Sequence, residues 1–236
     1  MKKIILIALA TSFIGFSACT ALRDAAAVAI LRQLTNDDIA NALKLALQLG
    51  IGNGVDGLSK KGGLLNSAYK ILLPKEVQPI TDKLRQIGLG SIENSIVEKI
   101  NSGAESAAGK AAPIFLDALK NMTITDAMSI LMGDKNSATN FLRTNTSDKL
   151  YQAFSPIIAS SLDEFGARKA WTNAVGTYNK IPFVQKMNPS LDDYVTTQTM
   201  NAMFSMVETK ERSIRANPGE RTTTLMQQVF AKQDGK

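Results

Sequence analysis

Apolar residues recur at helical spacing over most of this chain. In Ile114–Gly133, Phe115, Ala118, Leu119 and Met122 fall at i, i+3, i+4 and i+7, and Ile124, Ala127, Met128 and Leu131 repeat the pattern. At 3.6 residues per turn, each set lies on one helix face. Thr123 stands between the two faces as an N-cap, its hydroxyl placed to accept an unpaired N–H of the second helix. Asp126, three residues on, supplies a shortened capping box, and Met122 and Ala127 have the spacing of a hydrophobic staple. Gly133 stops the second helix. Two apolar faces joined this tightly need a larger core to pack into.

The same signals delimit other helices. Thr35-Asn36-Asp37-Asp38 caps a helix expected over Asn36–Leu49 and stopped by Gly50, with Leu34 and Ile39 placed for a staple. Gly50-Ile51-Gly52-Asn53-Gly54 is expected to be a helix-breaking turn. A phosphate loop would need a strand before its glycines, and a helix precedes them here. Helices are further expected over Glu76–Ile87, Ser91–Ala112, Asn136–Gly166 (interrupted near Thr146 and bent at Pro156), Ala167–Tyr178, Leu191–Asn217 (capped by Ser190) and Arg221–Lys232. Two short apolar runs, Ile71-Leu72-Leu73 and Ile181-Pro182-Phe183-Val184, suit a minor two-stranded β element. The expected fold is all-α: a single compact multi-helix bundle with room for that one β element.

Composition narrows the chemistry. The 236 residues are 44% hydrophobic but only 6% aromatic, so Leu, Ile, Ala and Met must fill the core. The chain has no histidine, which removes Ser-His-Asp and Cys-His nucleophilic sites, histidine bases and most zinc sites. Asp134-Lys135-Asn136 begins like a calcium loop but lacks the turn glycine and the twelfth-position acid. No metal, cofactor or catalytic set is therefore assigned. The net charge is +6, with Lys2 and Lys3 at the extreme N-terminus, and the excess is dispersed rather than gathered with aromatics as nucleic-acid binding requires.

The first 19 residues read differently. Lys2 and Lys3 form a positive start, Ile4–Phe16 is an apolar run too short for a comfortable membrane span, and Ser17-Ala18-Cys19 follows. Phe16-Ser17-Ala18-Cys19 resembles the bacterial lipobox, departing at Phe16. The resemblance implies a lipoprotein signal peptide over residues 1–18 and acylation of Cys19; residues 19–35 would then be a lipid-anchored tether, and the helical pattern above gives a helical domain over 36–232. Each buried CH₂ of such an anchor contributes about 0.8 kcal/mol. Thr20, in place of Asp, points to the outer membrane and the periplasm.

Two constellations are candidates for a site. Glu105, Glu211, Arg215 and Arg221 form a polar or anion-binding set; the plainer alternative is a buried ion-pair network holding the turn at Pro218. The pair Glu208/Arg212 shares the i, i+4 spacing of Glu211/Arg215, and solvated ion pairs are the plain expectation for both. Trp171, the only tryptophan, with Met200, Met203 and Phe204, would line an apolar pocket, since thioethers suit adaptable grooves as well as irregular cores. Three functions follow: a non-enzymatic envelope module binding an envelope protein, a carrier of a lipid or other hydrophobic ligand, and a hydrolase using carboxylates among Glu105, Asp126, Asp193 and Glu211.

A wider pattern joins these residues. Leu73-Pro74, Leu84-Arg85-Gln86-Ile87-Gly88, Asn101 with Ala104-Glu105, Phe115-Leu116-Asp117-Ala118, Met122–Ala127, Phe154-Ser155-Pro156, Asp192-Asp193-Tyr194-Val195 and Ile214-Arg215 through Val229-Phe230 resemble the DUF4197 family of bacterial envelope proteins. Ser102-Gly103 departs from the Arg-Ala often found there. The resemblance implies an exported or lipid-anchored helical domain and carries no activity and no catalytic residues.

Overall fold

A computed structural model describes residues 35–77, 85, 90–164, 166, 168–169, 171–172, 176, 179–180, 182–183, 186, 188 and 190–231. The lipobox with Cys19, the tether up to Leu34, and most of the expected helices Glu76–Ile87 and Ala167–Tyr178 lie outside the described residues.

Helix α1 spans Asn36–Ser59, with Asp37 and Asp38 in its first turn, where the helix dipole favours acids. The expected stop at Gly50 is wrong: the helix runs through Gly50, Gly52, Gly54 and Gly57. Packing decides this. A Cβ on Gly50 would lie 3.2 Å from Lys210 Cγ, and one on Gly54 would overlap the Met206 sulfur. Gly50 and Gly54 let α1 approach a second helix closely, and that contact offsets a propensity cost of about 1 kcal/mol each.

Helix α2 spans Gly90–Ala108, and α3 spans Ala111–Lys120. The helix expected over Ser91–Ala112 ends earlier, at Ala108, and Ala111 and Ala112 belong to the next helix. The break at Gly109–Lys110 puts Pro113 in the first turn of α3, where a missing N–H removes no helical bond. Helix α4 spans Ile124–Met132 behind a complete capping box. Asp126 N–H donates to Thr123 Oγ1 at 3.1 Å, and Thr123 N–H donates to Asp126 Oδ2 at 2.9 Å.

Helix α5 is continuous over Ser137–Glu164, without the expected interruption at Thr146. That threonine is buried, and its hydroxyl donates to the Leu142 carbonyl at 2.6 Å. Its self-contained bond removes the penalty that a buried hydroxyl would otherwise impose. Thr146, Leu150, Phe154, Ile158 and Leu162 recur every fourth residue as the buried stripe. Helix α6 spans Leu191–Ala216, about 39 Å at 1.5 Å per residue, with Ser190 as its N-cap. Helix α7 spans Thr224–Phe230 and is capped by Thr223; Arg221 precedes it rather than starting it.

Helix α6 packs against α1, α2 and α5, while α1 also meets α3, α4 and α7. Phe115, Phe154 and Phe204 are fully buried among these helices. The fold is all-α, and no strand occurs among the described residues. Ile71–Pro74 is non-helical and unpaired with any strand; Ile181 and Val184 of the proposed partner run lie outside the described residues. Backbone hydrogen bonds that a strand would supply come instead from a side chain, Asn101.

Candidate functional site

The connection over residues 60–74 forms no helix or strand, and its own turn bonds satisfy only part of its backbone, so side chains must supply partners for the rest. Two residues one turn apart on α2 do this. Glu105, buried, accepts N–H bonds from Gly62 (3.0 Å), Leu64 (3.0 Å) and Leu65 (3.2 Å). Gly62 sits at φ +79°, the left-handed region that glycine tolerates best. Asn101 accepts from Ile71 N–H at 2.9 Å and donates to the Ile71 and Val97 carbonyls at 2.8 and 2.7 Å. Glu105 and Asn101 thus clamp a loop against α2.

The other three polar candidates form a separate anchor. Glu211 accepts from Ala138 N–H (2.9 Å), Thr139 N–H (2.8 Å) and the Thr139 hydroxyl (2.8 Å), so it caps the start of α5. Its Oε1 also takes Arg215 Nε at 3.1 Å and Nη2 at 2.9 Å. Arg215 donates onward to the Ile130 and Leu131 carbonyls at 2.8 and 3.3 Å, at the end of α4. Arg221, fully buried, donates to the carbonyls of Ile214 (3.1 Å) and Arg215 (3.0 Å), closing the end of α6. Glu105 shares none of these partners. The solvated-face expectation for Glu211/Arg215 is corrected: the side chains are 4% and 9% exposed, against 30% and 56% for Glu208/Arg212.

The apolar candidates divide as well. Met203 and Phe204 are fully buried. The Phe204 ring meets Phe115 edge-on at 5.8 Å, and the Arg143 guanidinium lies 4.4 Å from its centroid. Met200 is half-buried on the same helix, and Trp171 is nearly buried with its indole N–H donating to the Asn188 carbonyl at 3.3 Å. A ligand at Phe204 would have to displace packed protein.

Of the remaining carboxylates, Asp126 is used in the capping box. Thr123 bonds hold its carboxyl below the usual range. Asp193 accepts from the Tyr151 hydroxyl (2.8 Å) and the Asn188 amide (2.8 Å). The Asp193 bond and partial burial push the Tyr151 phenol up from its ordinary value. Among the described residues, no group of three or more acids, cysteines or histidines could hold a metal ion.

Sequence reasoning missed the open feature. A groove of about 340 Å³ runs between residues 68–75 and α6. One wall carries Tyr69, Lys70, Leu72 and Lys75; the other carries Tyr194, Gln198, Asn201 and Ser205, which share one face of α6. The Tyr194 hydroxyl crosses to the Leu72 carbonyl at 3.0 Å, and Tyr69 reaches the Thr209 hydroxyl at 3.2 Å. Among the described residues, no acidic side chain lines the groove. The signal available in the sequence was the polar face of α6 opposite its buried stripe, but nothing told which loop lies across it. A second groove, about 600 Å³, lies where α2 meets α5, lined by Ser102, Gly103, Ser106, Ser160 and Ser161. A Cβ on Gly103 would come within 2.7 Å of the Ser161 hydroxyl, so this glycine permits the close contact.

A family model described as a protein of unknown function, DUF4197, matches residues 33–231. The chain belongs to the DUF4197 family. No curated protein and no solved structure matches it. In this DUF4197 protein, the motif residues Asn101, Glu105, Arg215 and Arg221 are engaged in holding helix ends and a loop. The groove also displays exposed side chains, among them Lys70, Leu72 and Lys75.

Proposed function

We propose that this DUF4197 protein is a lipid-anchored, non-enzymatic binding module of the bacterial cell envelope, held at the outer membrane and facing the periplasm. Acyl groups on Cys19 are its membrane contact, and residues 19–35 are the tether. The address rests on the leader: Lys2 and Lys3, the short apolar run Ile4–Phe16, and Ser17-Ala18-Cys19. No described helix is long and apolar enough to cross a membrane.

The observation that carries binding is the groove between residues 68–75 and α6, a concave surface with converging polar groups. Glu105, Asp126, Asp193 and Glu211, the carboxylates considered for hydrolysis, each already serve a local hydrogen-bonding role. The carrier reading would need space beside Met203 and Phe204, where protein side chains pack.

The test is expression of the full chain in bacteria, followed by membrane fractionation and intact-mass measurement. The membrane fraction should contain a chain beginning at an acylated Cys19, and Cys19→Ser should abolish both acylation and cleavage there. A wild-type chain that is soluble and free of acyl mass would refute the anchor.

A further inference from the structure

The groove has a definite chemical character. Lys70 and Lys75 are exposed on one wall, and neither makes an ion pair among the described residues. Among the described residues the lining carries these two cations and no acid, so its net charge is positive. Low-dielectric walls on both sides concentrate such a field. The preferred ligand is therefore anionic.

Its hydrogen-bonding groups are those that read a peptide. Ile71 turns both N–H and C=O toward Asn101, whereas Leu72 turns its C=O the other way, to Tyr194 across the groove. The Leu72 N–H and the Gln198 carboxamide find no protein partner among the described residues. A carboxamide can both donate to and accept from a backbone amide. Leu72, 57% exposed, adds an apolar contact at the same place. An irregular backbone edge, an unpaired N–H and an amide side chain match an extended peptide, as in recognition at exposed strand edges. Sugar binding would favour open aromatic platforms, but both tyrosines are pinned through their hydroxyls as walls. A volume of about 340 Å³ suits a short segment.

We infer that the groove between residues 68–75 and α6 binds a short acidic peptide segment. Lys70 and Lys75 take its carboxylates, and Gln198 and the Leu72 N–H take its backbone. This deepens the binding-module reading and is independent of the lipid anchor.

The experiment is affinity selection by the full chain, purified in nonionic detergent, from a mixed library of terminally blocked pentapeptides. Retained peptides are sequenced by mass spectrometry. Asp and Glu should be enriched, and added salt should weaken retention. Lys70→Glu/Lys75→Glu, at two exposed positions, should cut retention of acidic peptides by about 10-fold, on the scale of two exposed charge pairs, and shift enrichment toward Lys and Arg. An unchanged helical circular dichroism spectrum would show that the variant is folded. Absence of retained peptides, enrichment without acidic bias, or the same acidic bias in the charge-reversed variant would overturn the inference. So would binding to phosphatidylglycerol vesicles with no peptide retained. Failure of the anchor appears separately, in the Cys19 experiment: acidic peptides retained by a non-acylated chain leave the groove assignment standing.

Discussion

Removing the Arg215 guanidinium should be among the most damaging single changes in the domain. The reason is visible in the contrast between two ion pairs of identical spacing. Glu208–Arg212 is a surface pair with side chains 30% and 56% exposed, and such pairs contribute about 0.2–1 kcal/mol. Glu211–Arg215 is buried at 4% and 9%. Arg215→Met would delete two bonds to Glu211 and two to the carbonyls ending α4. Glu211 would keep its three donors from Ala138 and Thr139 but lose its cation inside the protein. Breaking a buried pair in this way costs roughly 3–5 kcal/mol. That is a large part of the ~5–15 kcal/mol by which domains are stable. Urea denaturation followed by circular dichroism should show the loss as a lower midpoint. Arg212→Met should move the midpoint little. The double variant Glu211→Gln/Arg215→Met should be less destabilised than the sum of its singles, with a coupling of about 0.5–3 kcal/mol. A cost below ~1 kcal/mol for Arg215→Met would refute the reasoning, because it would mean that the pair behaves as a solvated one.

Two further predictions concern single helices. Gly54→Ala should destabilise the protein by roughly 1–2 kcal/mol, since overpacking against Met206 exceeds the gain in helix propensity, whereas Gly57→Ala, with open space around its Cβ, should stabilise it by about 0.4–1 kcal/mol; equal melting shifts for the two would contradict the close-packing account. Asp126 has a folded-state pKa below its ordinary 3.8, so its contribution is present above that value and is lost as the pH falls through the folded one; the stability deficit of Asp126→Ala, measured by urea denaturation at a series of pH values, should shrink on acidification, and a deficit constant down to low pH would argue against the cap.

Local chemistry was the legible part of this sequence. Thr123 with Asp126, and Ser190 before α6, cap helices where their spacing says they should, because an N-cap depends on residues within one turn. The all-α class was legible for the same reason, since helical periodicity is a local pattern. What failed involved distant partners. Gly50 and Gly54 read as breakers until Lys210 and Met206, some 150 residues away, are placed beside them. Ser91–Ala112 read as one helix because Pro113 lay just past the expected end. The polar candidates were recognised as a set, yet Glu105 holds a loop and Glu211 holds a helix start, and no spacing distinguishes the two roles. The groove was invisible because its two walls are more than 100 residues apart in the chain.

The clamp formed by Asn101 and Glu105 separates what shapes the groove from what the groove displays. Both residues sit on α2, behind the loop, and bond to its backbone at residues 62, 64, 65 and 71. Backbone bonds are indifferent to the side chains that the loop carries. Lys70, Leu72 and Lys75 can therefore be exchanged while the groups that fix their positions stay unchanged. A frame of this kind lets recognition diverge without refolding: one helical domain can acquire new ligands by substitutions along a single short loop.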